Sequence, residues 1–306
     1  MKLGPFIIDG RRVMEQRRRL ELLGRSRVML LRLFFVLTLI AVPTYAQRIA
    51  ILTPENKGGD IDYAARLADS LSGSIKILDH SMSESAFRSV AIGSVFNMTV
   101  AEARAAATVM GCDRFLLVRT GAHRRTSLSR SDYYESFAFL YLVDGRTGSL
   151  VSWIRKSSDA DTQVKADAAL ADSVDVAAKE LSSLFNNLNA AKFKTTAATS
   201  VEEVPSEGSP AAINLKPPIP YKRIKPEYTS TAFLYDVRAT IDIEADISAD
   251  GSVLATRITR WAGFGLEESV DAAVRVMNWR PALRNGRPLP MRVLLRYNST
   301  KVDRDR

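Results

Sequence analysis

Two histidines and one cysteine are the chain's whole supply of soft metal ligands and thiol nucleophiles, and their spacing argues against most of the chemistry they can do. Neither His80 nor His123 has a ligand-type partner three or four residues away, so neither a helical metal site nor a nucleophile-base-orienter set is readable. Cys112 sits between Gly111 and Asp113, where a helix hands over to a strand, and reads as a small buried thiol. Asp246, Ser248, Asp250 and Gly251 imitate the first half of a calcium loop, but Arg257 stands where a bidentate glutamate is needed. Gly263-Phe264-Gly265 imitates the start of a dinucleotide loop, yet it follows an antiparallel hairpin and leads to Ser269 rather than a further glycine. It reads as a turn that starts a helix. No catalytic residue, cofactor or metal is therefore expected, and the chain does not read as an enzyme.

The most distinctive polar cluster is His123, Arg124 and Arg125 with Arg130, followed by Asp132, Tyr133, Tyr134 and Glu135. It is expected in a connection after a buried strand, where binding groups are often presented. Two readings are open: a solvated basic loop, or a contact for an anion, glycan or polymer through His123, Arg124, Arg125 and Arg130. Asn97 and Asn298 fit glycosylation sequons, a use that a bacterial-type leader argues against.

Net charge is +9, but residues 1–46 hold nine Lys or Arg against Asp9, Glu15 and Glu21. The remainder carries 34 basic and 31 acidic residues, so a nucleic-acid partner gains little support. Within residues 1–46 a basic stretch precedes the apolar run 33–42 and then Pro43-Thr44-Tyr45-Ala46. That is the order of a secretory signal, with cleavage expected after Ala46. The uncharged run 33–46 is short of the roughly 20 residues of a spanning helix. An uncleaved signal anchor stays open if Arg32 snorkels. The expected location is the periplasm, with inner-membrane anchoring if the leader is retained.

These residues must be positioned by two kinds of layer. Residues 48–54 form a continuous apolar run suited to a buried parallel strand, followed by a helix over 60–71, a strand at 75–79 and a helix over 83–90. Thr99 and Glu102 make a capping box for the next helix, and residues 113–120 form the third buried strand. A hairpin, 133–143 and 150–155, and one long helix over 161–188 complete an α/β N-terminal domain with a mixed sheet, residues 47–188. Residues 189–216 lack any period and read as a flexible linker able to separate two domains. In residues 237–247 apolar and charged side chains alternate, Asp250-Gly251 turns the chain, and 253–259 returns as a second strand. Leu266, Val270, Ala273, Val274 and Met277 fall on one helical face, Trp279-Arg280-Pro281 stops that helix, and residues 291–297 form a last strand. The expectation is a small α+β domain at 217–298, with a three-stranded antiparallel sheet and one packed helix, then a polar tail at 299–306.

Lys225-Pro226-Glu227-Tyr228, Asp250-Gly251-Ser252-Val253 and Leu266-Glu267-Glu268-Ser269-Val270-Asp271-Ala272-Ala273 occur in order with Asn278-Trp279-Arg280-Pro281-Ala282 and Asn285-Gly286-Arg287-Pro288-Leu289-Pro290. In these pieces residues 217–298 resemble the TonB C-terminal domain family. Thr229 replaces the family's proline after the tyrosine, and residues 234–236 replace its glycine, which puts the standard approach to the first strand in doubt. The N-terminal domain resembles the TolB amino-terminal domain and CsgG-like periplasmic α/β domains, through Arg48-Ile49-Ala50-Ile51-Leu52, the helix over 64–71 and Gly111-Cys112-Asp113.

The resemblance implies that an outer-membrane TonB-dependent receptor, or another envelope protein, adds a strand to the sheet edge. That edge is Met291, Arg292, Val293, Leu294, Leu295, Arg296 and Tyr297, with Arg292 and Arg296 on the face opposite Met291 and available to an acidic peptide. Support of energy-coupled transport through an inner-membrane motor complex is implied only if the leader is retained, because cleavage after Ala46 leaves no covalent route to the inner membrane; the run 33–46 also lacks the family's histidine, and an α/β domain stands in place of its proline-rich rod. The alternative is a periplasmic scaffold whose α/β domain binds a cell-wall polymer or envelope protein, with the C-terminal domain forming a homodimer.

Overall fold

The apolar run at 48–52 makes the strand that the first sheet grows from. In the computed structural model, which describes residues 47–73, 75–190 and 201–301, that strand is β1 (Arg48–Leu52), and four of its five residues are buried. Helix α1 (Gly58–Leu71) carries the chain over to β2 (Lys76–Ile77). Helices α2 (His80–Arg88) and α3 (Val100–Met110) then lead to β3 (Arg114–Ser127). Both β2 and β3 lie parallel to β1, as helical crossovers require. The expected Thr99–Glu102 capping box forms at the start of α3, and Gly111 ends that helix in the left-handed region at φ 65°. Strands β4 (Arg130–Asp144) and β5 (Leu150–Ala160) continue antiparallel, giving the order β2-β1-β3-β4-β5.

The single helix expected over 161–188 is two helices, α4 (Gln163–Ala171) and α5 (Val174–Ala190). They separate at Asp172–Ser173 because the chain changes partners there. Helix α4 lies on β4 and β5, and α5 lies beside α1, with Ser173 Oγ 3.1 Å from Tyr63 Oη at the bend. The linker expected over 189–216 also needs correction. Residues 191–200 lie outside the described residues, but from Val201 on the chain is laid down as short strands: β6 (Glu202–Glu203), β7 (Leu215–Lys216) and β8 (Ile219–Pro220).

Helix α6 (Ser230–Leu234), capped by Thr229, leads into β9 (Ala239–Ile247) and β10 (Val253–Arg260). Helix α7 (Leu266–Arg275) lays Leu266, Val270, Ala273 and Val274 on that hairpin. The chain then forms β11 (Trp279–Arg280), β12 (Ala282–Arg284), β13 (Arg287–Leu289) and β14 (Met291–Ser299). The helix stops at Arg275, before the Trp279-Arg280-Pro281 stop read from the sequence, because β11 is committed to pairing with β8. Likewise β12 pairs with β13 and β7. The expected three strands become a four-stranded sheet, β10-β9-β14-β6, in which the added β6 runs parallel to β14. Gly251 is the hairpin's positive-φ residue at 88°, and a side chain there would meet the Trp279 carbonyl.

The first sheet is the middle layer of the described body. Ile49, Ile51, Leu116, Val118, Leu140 and Leu142 face Leu67, Leu71, Leu181 and Phe185 of α1 and α5. Phe115, Leu117, Phe139, Tyr141 and Val143 on the other face share one continuous core with Ile241, Ile243, Trp261, Phe264 and Val270 of the C-terminal half. Residues 47–301 thus hold their two sheets against each other, where the linker reading had them free to separate. Among the described residues no helix is long and apolar enough to cross a membrane, and the leader reading of residues 1–46 lies outside them.

The docking element is the turn Trp261-Ala262-Gly263-Phe264-Gly265. Gly263, Phe264 and Gly265 all have positive φ, at 78°, 61° and 75°. For phenylalanine that conformation costs about 1–3 kcal/mol. It aims the Phe264 ring into an aromatic cluster, 4.4 Å from Trp153 and 5.1 Å from Phe139 between ring centroids. Burying a phenylalanine side chain returns roughly 1.5–3 kcal/mol. Trp261 is 1% exposed and donates its indole N–H to the Gly148 carbonyl at 3.0 Å. Asn97 closes the same junction: Nδ2 donates to the Thr240 and Trp261 carbonyls, both at 2.8 Å, and Oδ1 accepts from the Thr240 amide at 3.0 Å.

Candidate functional site

Alternation along β14 sends Met291, Val293 and Tyr297 into the core and Arg292, Leu294 and Arg296 to the outer face, as the period of two predicts. In an antiparallel pair a residue's amide and carbonyl point together, either toward its partner strand or away from it. The Arg292 carbonyl accepts from the Val204 amide at 3.2 Å and the Arg296 carbonyl accepts from Arg223 Nη2 at 2.7 Å, so both point away from β9. The even-numbered residues therefore present the edge, and the odd-numbered ones, Val293 and Leu295 included, bond to β9. Between the two occupied carbonyls lies Leu294. The residue is 59% exposed, and its outward amide and carbonyl have no partner among the described residues.

Each end of this gap is covered by the chain itself. At one end β6 pairs Glu202 with Met291 and Glu203 with Arg292. Glu202 makes a two-point ion pair with Arg284, at 3.0 and 2.5 Å, which holds its carboxyl below the usual range. At the other end Arg223 lies over the Tyr297 ring, 4.8 Å from its centroid. A cleft of about 380 Å³ runs there between residues 223–228 and 296–300.

The two arginines expected to attract an acidic peptide are committed within the sheet. Arg292 forks onto Asp246 at 2.6 and 3.0 Å, and Arg296 forks onto Asp242 at 2.7 and 2.9 Å. Asp242 also takes Arg260 Nε at 3.1 Å; Arg296 first, then Arg260, holds its carboxyl below the usual aspartate range. The outer face is thus a lattice of paired charges rather than a bare cationic stripe.

The basic cluster of the first sheet also lies elsewhere than its sequence reading placed it. His123, Arg124, Arg125 and Arg130 are in ladder positions, because β3 and β4 extend past the expected loop and pair His123 with Glu135 and Arg124 with Tyr134. Cross-strand pairs of opposite charge and aromatic rings favour that extension. Arg124 forks onto Asp132 at 3.2 and 2.8 Å, and Arg130 meets Asp161 at 2.5 Å. Arg125 donates to Glu135 at 2.8 Å and to the Leu234 carbonyl at 3.1 Å. His123 stacks 5.0 Å from Phe137 and 5.9 Å from Tyr235, and burial followed by the nearby Arg125 charge pushes its pKa down. Tyr235, from the C-terminal half, donates to Glu135 Oε1 at 2.5 Å and accepts from Arg155 at 3.1 Å. Burial first, then the Glu135 bond, lifts its phenol to about 12. His123 and Arg125 therefore serve as a seat for the C-terminal half, while Arg124 and Arg130 are paired at the ribbon's outer end.

Cys112 is buried, and desolvation carries its thiol up to about 11. Asp250, in the calcium-like stretch, is held by the Ser248 hydroxyl and the Ser252 amide, which bring it down to about 2. Among the described residues no three His, Cys, Asp or Glu side chains are grouped to hold a metal. Sequence reasoning missed β6, Asn97 and Thr229, whose Oγ1 donates to the Phe264 carbonyl at 2.7 Å. Thr229 replaces a proline of the family pattern, so that departure was the available signal.

No family model matches the chain, and no curated protein matches it. Solved structures do resemble parts of it. The solution NMR structure of the Pseudomonas aeruginosa TonB CTD aligns at 13% identity and a TM-score of 0.26, over 35% of this chain and 100% of that one. Lipoprotein GNA1162 from Neisseria meningitidis aligns at 15% identity and a TM-score of 0.32, over 45% of this chain and 99% of that one. The PelC dodecamer structure from Paraburkholderia phytofirmans gives 14% identity and a TM-score of 0.27, over 45% of this chain and 87% of that one. At these scores the likenesses assign neither a family nor an activity.

Proposed function

We propose that this chain is a cell-envelope binding protein whose C-terminal sheet takes up an extended segment of another envelope protein along the outer edge of β14. The observation that carries the reading is the open ladder position at Leu294, set between two positions that the chain covers with its own groups. An unpaired strand edge offers main-chain donors and acceptors to any extended segment, and neighbouring side chains select which one. The signal-like order of residues 1–46 supports an exported location, and the ordered motifs of 217–298 support an outer-membrane receptor as the partner class. The first sheet, docked through Trp261 and Phe264, gives the edge a stiff mount. Direct coupling to an inner-membrane motor requires a retained leader, and an intact mass of the membrane-fraction protein that begins at Gln47 would rule it out.

The test follows from the parity of β14. Leu294→Pro removes an outward amide and leaves the pairing with β9 in place, a position where an edge strand tolerates proline. Capture of an extended partner segment is expected to fall about tenfold or more, from the lost ladder bond and the ring's bulk. The urea midpoint should stay near that of the native chain. Val293→Pro removes an amide that bonds to β9 and is expected to lower the midpoint itself. A photo-crosslinker at position 294 that joins only two copies of this chain in envelope preparations would support the homodimer instead. Undiminished receptor capture by folded Leu294→Pro would refute strand addition at this edge.

A further inference from the structure

Among the described residues, the segment beside β14 is short, acidic and seated parallel to it. Val201 is buried, Glu202 holds Arg284 by two contacts, Glu203 lies 3.9 Å from Arg292, and the Val204 amide donates to the Arg292 carbonyl. A two-residue pairing anchored by exposed ion pairs is weak, since such pairs contribute little each and are screened by salt. It is nonetheless always present at the edge, because the chain supplies it in cis. The surroundings match its sign. Arg284 faces the segment, and exposed Arg223 and Lys225 line the cleft at the far end of β14. Arg292 and Arg296 are already neutralised by Asp246 and Asp242, so at the β6 end the charge that an incoming strand meets is chiefly Arg284's.

We propose that residues 201–204 are a built-in placeholder for the partner strand. Resting on strand addition at β14, this inference identifies the partner as an acidic extended segment that enters parallel to β14, puts an apolar residue where Val201 sits and a carboxylate where Glu202 sits, and displaces β6. The partner then continues past Arg292 onto the Leu294 position that β6 does not reach. Binding is gated by competition: the partner gains only what exceeds the internal segment, so affinity is set by the difference between two strands of similar chemistry.

The experiment uses fluorescein-labelled peptides with the sequence VEEVPSE, which copies residues 201–207, its charge-reversed form VKKVPSK and the neutral VQQVPSQ. Each is titrated by anisotropy against the full chain, the double variant Glu202→Lys with Glu203→Lys, the variant Arg284→Glu and the variant Leu294→Pro. The double variant, whose own segment is repelled by Arg284, is expected to bind VEEVPSE about fivefold or more tighter than the native chain. Arg284→Glu should invert the order of VEEVPSE and VKKVPSK. Equal affinity of the native chain and the double variant for VEEVPSE, or no binding by either, overturns the placeholder. If VQQVPSQ binds as well as VEEVPSE and both depend on Leu294, strand addition stands and the acidic preference falls. If no peptide binds any of the chains, the placeholder falls on these data, while strand addition is judged by receptor capture.

Discussion

Asn97 offers the sharpest test of the finding that the two sheets form one body. Its amide makes three hydrogen bonds to Thr240 and Trp261, at 2.8, 2.8 and 3.0 Å, across a sequence separation of more than 140 residues. At about 1 kcal/mol net per bond, Asn97→Ala is expected to cost about 3 kcal/mol. Water reaching this half-buried site trims the loss toward 2 kcal/mol, and unsatisfied Thr240 groups raise it. Asn97→Asp keeps the acceptor for the Thr240 amide but turns a carboxylate oxygen toward the Thr240 and Trp261 carbonyls, so it should cost at least as much as Asn97→Ala. The assay is urea unfolding followed by far-ultraviolet dichroism and tryptophan fluorescence together, because Trp261 and Trp153 lie at the junction. In the native chain the two signals should report one transition, and in Asn97→Ala the tryptophan signal should move first. A shift below 0.5 kcal/mol, with the two signals still coincident, would refute the reasoning that this side chain fastens the halves.

Further outcomes are open to measurement. Gly263→Ala places a Cβ 2.6 Å from Trp153 at a φ of 78° and should cost about 3 kcal/mol from strain and overpacking; a near-native midpoint would show that the turn can shift. The depressed pKa of Asp242 means its contribution to stability is present above the unfolded value and is lost as pH falls through the folded one, so Asp242→Asn should flatten the acid limb of the stability curve. The lowered pKa of His123 makes the unfolded chain take up its proton first, so stability drops as pH falls below the ordinary histidine value, and His123→Phe should remove that part of the slope. Cys112 should resist alkylation at neutral pH until the chain unfolds, as measured by mass, because its thiol is buried and raised to about 11.

What could be read from the residues was local. The alternation of Ile241, Ile243 and Ala245 with Asp242 and Glu244 announced a half-buried strand, and Asp250-Gly251 announced its turn. Thr99 with Glu102 announced a capped helix. Apolar periodicity says that a face is covered, but not by what. The shared core stayed hidden because Trp261 and Phe264 sit in a turn with no period to count. The fate of Arg296 was equally illegible, since its partner Asp242 is 54 residues away and the two meet only through strand register. Strand β6 is two residues long, below any pattern a sequence window detects.

The nine matched pairs between β14 and β9 have a mechanical meaning. Tension along an added strand would load that ladder in shear, with its bonds sharing the force rather than failing one after another. Beyond β9, the groups that join this ladder to the first sheet are Asn97, through its three hydrogen bonds, and Trp261, through its bond to the Gly148 carbonyl.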